Sequence, residues 1–327
     1  MAKKIFGLPF DEELFIKAWH DLPDPVSSAM LDSGAMVNDS LIASYIKNDG
    51  NLYTIPFYNE LEGEPANYDG NEDVPFKTID GDWQSGVVYG RMQGWNAKDF
   101  TGDLSSGNPM GAILRKVGGF WRKYRHGKVV GILDAIFGLS EMSERVIELG
   151  GKIGETTLSD TAIDTLGEAW GMYSLAIMHS QVAKTLRNLE LLEYRKSVQA
   201  DAYGRAPLIA DVLGFTVVVD DRVPVDRTDP ENPKYTTFLL GRGVLRQANG
   251  ALSVPVETSR DPVKSGGIEM LITRVRETIH PNGFSFVLPE TGFTESPTDA
   301  QLVDPANWKL SHNLNAIPLA KIVTVGG

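Results

Sequence analysis

A mixed α+β fold is predicted by three features of the sequence: two long stretches of helical periodicity in mid-chain, strand-like runs on both sides of them, and no repeated βαβ unit. The first helical stretch spans residues 109–139. Asn108 is suited to cap it and Pro109 to open it, since proline lacks only an N–H that would have no helical partner there. Ile113, Val117, Phe120, Trp121, Tyr124, Val129, Ile132, Leu133, Ile136 and Phe137 then recur mostly three and four residues apart. Gly138 is a candidate C-cap, and Gly118, Gly119, Gly127 and Gly131 predict a bend or a break. This stretch also reverses the sign of the chain. The whole protein carries a net charge of −12, yet Arg115, Lys116, Arg122, Lys123, Arg125 and Lys128 lie here with no acid between Asp103 and Asp134.

The second helical stretch is expected from Ser159 to about Lys196, with Ile163, Leu166, Trp170, Tyr173, Ile177, Val182, Leu186 and Leu189 as its buried stripe. Ahead of the first, residues 11–20 form a short amphipathic helix (Leu14, Phe15, Ala18, Trp19) ended by Pro23 and Pro25, and residues 28–46 a second. Both are brief, so residues 1–47 are expected to form an N-terminal arm that packs on something else.

Strand-like alternation occurs at 52–61 (LYTIPFYNEL) and 86–93 (GVVYGRMQ), with Pro56 marking an edge. The connection between them is far longer than an ordinary hairpin loop. Across residues 60–82 eight acids (Glu60, Glu62, Glu64, Asp69, Glu72, Asp73, Asp80, Asp82) face Lys77 alone, a local charge of −7. Such a projection is either a solvated loop or an arm that reaches another subunit. Later, 207–213 reads as a short helix closed by Gly214. FTVVV (215–219), 235–240, 243–246 and 255–261 read as strands. Residues 268–279 alternate strongly and turn through His280-Pro-Asn-Gly into FSFVL, a hairpin pattern, and 308–310 and 317–325 return as strands.

The length of 327 residues allows one large or two modest domains, and the absence of cysteine removes disulfides, thiolate metal sites and thiol nucleophiles. No apolar run is long enough for a membrane span, and the N-terminus does not read as a signal peptide, so the chain is expected to be cytosolic when made. The acidic balance argues against general nucleic-acid binding while leaving a local basic face. The five histidines show no metal-ligand spacing, and no phosphate-binding or nucleophile-elbow motif occurs. Asp220 and Asp221, at a strand end, with a histidine such as His179, are the one set that could serve a metal-dependent enzyme; an acidic turn in solvent is the simpler account.

The order of arm, acidic loop, basic helix, second helical region, strand-rich insertion and terminal hairpin resembles the major capsid proteins of tailed double-stranded DNA bacteriophages, with their Hong Kong 97-like fold. TIPFYNELEG, GNPMGAILRKVGGFWR, IMHS, LGFTVVVDDRVPV, YTTFLLGRGVL and VETSRDPVKSGGIEMLITRVRETIHPNGFSF carry the resemblance from about residue 32 to 288. It implies an N-terminal arm (1–47), an extended loop (48–95), a peripheral domain (96–158 and 268–327) with spine helix 109–139, and an axial domain (159–267). The implied function is a non-enzymatic major capsid protein, without cofactor or metal. It would self-assemble in the host bacterial cytoplasm into hexamers and pentamers of an icosahedral virion shell around double-stranded DNA. Implied partners are further copies of the chain, a scaffolding protein (the short arm contains no long scaffold-like helix), a portal, and DNA held non-specifically; no membrane is involved. An encapsulin-type compartment shares the architecture and is the alternative within the class.

The charge map then predicts that the loop tip, residues 62–82, lies over a neighbour's spine helix. Glu62, Glu64, Asp69, Glu72 and Asp73 would face Arg115, Lys116, Arg122, Lys123, Arg125 and Lys128. Exposed ion pairs contribute only about 0–1 kcal/mol each, so apolar contacts at Phe57, Tyr58, Tyr68 and Trp83 are expected to supply the strength. The rival use of the basic face is contact with packaged DNA.

Overall fold

The structure, a computed structural model, describes residues 3–5, 8–10, 15, 24–46, 51–58, 64, 65, 67, 76, 81–98, 109–194, 209–212, 214–289, 292 and 294–326. The helix Pro109–Phe137 runs between two sheets. At 1.5 Å per residue its 29 residues span about 43 Å.

The first sheet has eight strands. Val146–Glu148, Leu319–Val325, Lys234–Gly241, Tyr173–Met178, Phe215–Val219, Ile209–Val212 and Glu193–Tyr194 follow in that spatial order, and Val225–Asp226 pairs beside Lys234–Gly241. Its central strands read as unbroken apolar runs because both faces are covered. Leu175, Ile177, Val218, Phe238 and Leu240 cluster with Ile132, Leu133 and Ile136 of the spine helix. Ala176, Met178, Val217, Leu239 and Ile322 cluster with Leu158 and Ala162 of helix Thr157–Leu166 and with Val182 and Leu186 of helix Ser180–Asn188.

The second sheet is built on the long strand Ile268–Pro281. Tyr89–Lys98 pairs along one edge, and Val256–Asp261 and Leu245–Asn249 share the other. Met36–Asn38 adds a parallel outer strand. Odd-numbered residues of the long strand meet the spine helix: Leu271 packs with Val117 and Trp121, and the Trp121 indole N–H donates to Thr273 at 3.0 Å. Thr278 and His280 meet the loop hairpin on the other face.

That hairpin pairs Leu52–Tyr58 with Gly81–Val87, Pro56 lying opposite Trp83. Neither strand belongs to a larger sheet, which is where a strand proline is tolerated. Helix Pro25–Asp32 starts as its sequence dictates, with Pro25 in the first turn and Asp24 accepting from the Ser27 N–H. Ala29, Met30 and Met36 are buried in the same cluster as the spine helix. From residue 24 onward, then, the expected arm belongs to the subunit's own core.

Several expectations are corrected. The spine helix does not break at Gly118, Gly119, Gly127 or Gly131, and it stops before Gly138 as expected. A Cβ at Gly131 would lie 2.7 Å from Val303, and one at Gly138 2.5 Å from Pro305, so these glycines admit close packing and do not mark hinges. The expected helix 159–196 is two helices separated by a strand. Gly167, at φ +57°, ends Thr157–Leu166, and Tyr173–Met178 is a fully covered strand whose unbroken apolar run also matched helical spacing. The expected helix 207–213 contains the strand Ile209–Val212, which turns through Gly214 onto Phe215–Val219. The turn after His280 forms, but Phe284–Phe286 pairs with Trp308–Leu310 and not with the long strand. Finally, the sheets cross the expected boundary at 267: Leu245–Asn249 and Val256–Asp261 join the long strand, while Leu319–Val325 joins Lys234–Gly241. Alternation identifies strands without identifying their partners.

Candidate intersubunit surfaces

The six bases of the spine helix do not form one free face. Arg125 is ion-paired with the buried Glu277 at 2.7 Å. Lys128 is buried and donates to Asp299 at 2.8 Å. The same Asp299 oxygen accepts from the Tyr124 hydroxyl and from Nε of Arg91, at 2.7 and 2.9 Å. Burial acts to raise the Asp299 pKa, but donors from Lys128, Tyr124 and Arg91 outweigh it and hold the carboxylate below its usual range. Burial also lowers the Lys128 pKa. These two bases therefore lock the helix to strand Ile268–Pro281 and to helix Asp299–Leu302.

Lys116 and Lys123 are exposed, and Arg122 is half-buried. Arg122 lines a cavity of about 500 Å³ together with Trp121, Arg125, Arg274, Arg276 and Glu277. The side chain of Arg115 lies outside the described residues. The outward basic surface is consequently centred on Lys116, Arg122 and Lys123, narrower than the sequence suggested.

In the acidic loop, Glu62, Tyr68, Asp69, Glu72 and Asp73 lie outside the described residues, and Glu64 is exposed. Opposite residues of an antiparallel pair share a face. Tyr53, Ile55, Phe57, Gln84 and Gly86 thus turn toward the body, where Phe57 stacks on His312 with ring centroids 3.7 Å apart. Leu52, Thr54, Pro56, Tyr58, Trp83 and Ser85 turn away. Tyr58 is 81% exposed and Trp83 63%, and Phe76 in the connection is 94% exposed. Beneath this face runs a groove of about 580 Å³, lined by Leu52, Thr54, Trp83, Val287, Leu288 and Lys309.

Asp220 and Asp221 have structural partners. Arg222 grips both Asp220 oxygens, at 2.8 and 2.6 Å, and also donates to the backbone carbonyl of Lys123, tying the strand end to the spine helix. Asp221 accepts from the Ser180 N–H at 3.0 Å, and His179 caps the same helix by accepting from the Gln181 N–H at 3.1 Å. Among the described residues no three His, Asp or Glu side chains cluster in a way that could hold a metal ion, and no helix is long and apolar enough to cross a membrane.

No family profile matches the chain. It is similar to the major capsid protein of Bacillus phage SPP1, 27% identical over 287 residues, which cover 86% of each sequence. By sequence it resembles a tailed-phage major capsid protein. The fold agrees: the capsid of Ralstonia phage GP4 superposes with a TM-score of 0.60 at 8% identity, covering 90% of this chain and 88% of that one. The acid-stable capsid of Helicobacter pylori bacteriophage KHP30 gives 0.54 at 9% identity, with 93% and 91% covered. The chain thus has the Hong Kong 97-like fold of tailed-phage capsid proteins.

Its sequence did not single out Glu277, Asp299, Gln84 or His280. Two of them were legible. Glu277 occupies the inward register of an alternating strand, where an acid calls for a buried cation. Asp299 follows Thr298 in a capping box closed by Gln301.

Proposed function

We propose that copies of this chain assemble into hexamers and pentamers of an icosahedral shell enclosing double-stranded DNA, through a non-enzymatic, purely structural role, aided by a scaffolding protein and closed at a portal. The observation that carries this reading is the loop hairpin, docked on its own subunit by one face while the other exposes Tyr58 and Trp83. Exposed aromatic surface of this kind is suited to burial against a second copy. The loop's charge of −7 complements the surface around Lys116, Arg122 and Lys123, which favours a neighbour's spine helix as its destination. Peripheral and axial domains meet along the spine helix in this reading.

The test is electron microscopy of particles formed by the wild-type chain and by a Tyr58→Ser, Trp83→Ser double variant. Closed shells from the wild type, and soluble folded subunits or isolated capsomers from the variant, support the assignment. Shells of normal yield and size from the variant would remove the hairpin from the subunit interface.

A further inference from the structure

The hairpin is held to its subunit by a buried polar cluster that neither shell closure nor charge complementarity explains. Gln84, only 1% exposed, is its hub. Its carbonyl oxygen accepts from the Gly283 N–H at 2.9 Å and contacts His280 Nε2 at 3.2 Å; its amide donates to Asn282 at 3.1 Å. An oxygen in that position requires a proton on His280 Nε2, which leaves Nδ1 as a bare acceptor. That Nδ1 is buried with no hydrogen-bond partner, as is Nδ1 of His312, the ring under Phe57. Both histidines thus sit at the root of one projecting element, and a proton added to either Nδ1 would have no acceptor.

We propose that these two neutral histidines form an acid-released clamp: the hairpin stays docked while they are uncharged and lifts from the subunit when they are protonated. The charged groups around them fit. Arg246 lies directly across the strand pair from His280 and would repel an imidazolium. Asp39 lies near enough to attract it, but is already ion-paired with Arg246 at 3.2 Å. Tyr53, on the hairpin strand, meets the His280 ring edge-on at 5.9 Å and gives its hydroxyl to Thr278. Asp82, on the opposite hairpin strand, favours charge on His312 while Arg246 opposes it, and His312 in turn opposes charge on His280.

Burial, first, and the Arg246 charge hold His280 down to about 3, against an ordinary value of 6.5. The lifted state, with the ring in water, takes up its proton near 6.5. Docking is therefore strongest above that pH and weakens as pH falls below it, by up to roughly tenfold per pH unit. The inference does not rest on the shell reading, since it concerns one subunit's hairpin and its own body.

The test exploits a chain with no cysteine of its own. Thr54→Cys and Lys309→Cys, exposed residues on the two sides of the groove, carry nitroxide labels in full-length chains diluted among unlabelled copies. Distances are read by pulsed electron resonance at pH 7.5 and pH 4. The expected result is one short distance at pH 7.5, a longer population at pH 4, and reversal on return. His280→Gln, which keeps a donor for Gln84 but cannot be charged, should reduce the response to the part that His312 supplies. Should that variant fail to fold, Gln84→Glu supplies a counter-charge and should move the transition to lower pH. An unchanged wild-type distance at pH 4, or a His280→Gln or Gln84→Glu transition identical to wild type, overturns the proposal.

Discussion

Arg125, midway along the spine helix, donates to Glu277 of the long strand through Nε at 2.9 Å and approaches the same oxygen with a terminal nitrogen at 2.7 Å. Glu277 is buried, while Arg125 keeps part of its side chain in water. The pair joins the two elements that define the fold. Removing the cation strands a buried carboxylate, so Arg125→Ala should destabilise the unassembled subunit by about 3 kcal/mol, the lower end for breaking a buried pair because Arg125 is partly solvated. Arg125→Met with Glu277→Leu should recover much of the loss. Denaturant unfolding of the wild type and the two variants measures both effects, and equal losses in the single and double variants would show that the pair is not the cause.

What the sequence conveyed about this region was the periodicity, not the pairing. The spine helix was readable because its apolar residues recur at helical intervals over eight turns of chain, which few alternatives imitate. Tyr173–Met178 was not, because a short apolar run buried on both faces satisfies helical and strand spacing alike. The basic character of residues 115–128 was visible, but Lys128 and Arg125 are consumed by Asp299 and Glu277, more than 150 residues away in sequence. Local pattern carries no information on that distance.

Asp24 is the second electrostatic tie, accepting at 3.2 Å from His126 of the spine helix. Burial works to raise its pKa, but His126 and Ser27 outweigh burial and lower it from 3.8 to about 2. A depressed carboxylate stabilises the fold above its ordinary pKa and loses that contribution as pH falls toward the depressed one. Asp24→Asn retains a capping side chain, so it removes chiefly the charge. The variant should be about 2 kcal/mol less stable than wild type at pH 5. The gap should narrow between pH 4 and pH 2. Paired unfolding curves across that range decide it, and a gap independent of pH would mean that the charge is not what Asp24 contributes.

Gly86 is required by contact with a single ring. A Cβ there would fall 2.2 Å from Tyr53 Cζ, and Tyr53 cannot swing aside because it is buried with its hydroxyl on Thr278 at 2.9 Å. Gly86→Ala should therefore cost about 1–3 kcal/mol by overpacking. Tyr53→Leu should make room, so that the double variant is more stable than the sum of the singles implies. Thermal unfolding of the four chains closes the cycle; simple additivity would place the cost of the alanine elsewhere.

The exposed lysines separate the two uses of the basic surface. Lys116 and Lys123 are exposed, whereas Arg125 and Lys128 are engaged within the subunit, so reversing only the former alters the surface and spares the fold. Lys116→Glu with Lys123→Glu should leave the melting temperature of the subunit nearly unchanged, since isolated surface substitutions fall within about 0.5 kcal/mol. If the surface receives a neighbour's acidic loop, two new negative charges face a segment of like sign and the yield of empty shells should fall, most strongly at low salt where screening is weak. Restoring the sign match by exchanging Glu62 and Glu64 for lysine should rescue assembly. If the surface instead meets packaged phosphate, empty shells should form as in wild type and only the DNA-filled particles should lose stability. Sedimentation of empty and filled particles at two salt concentrations distinguishes these outcomes, and rescue by the loop lysines is the result that only direct loop-to-helix contact produces.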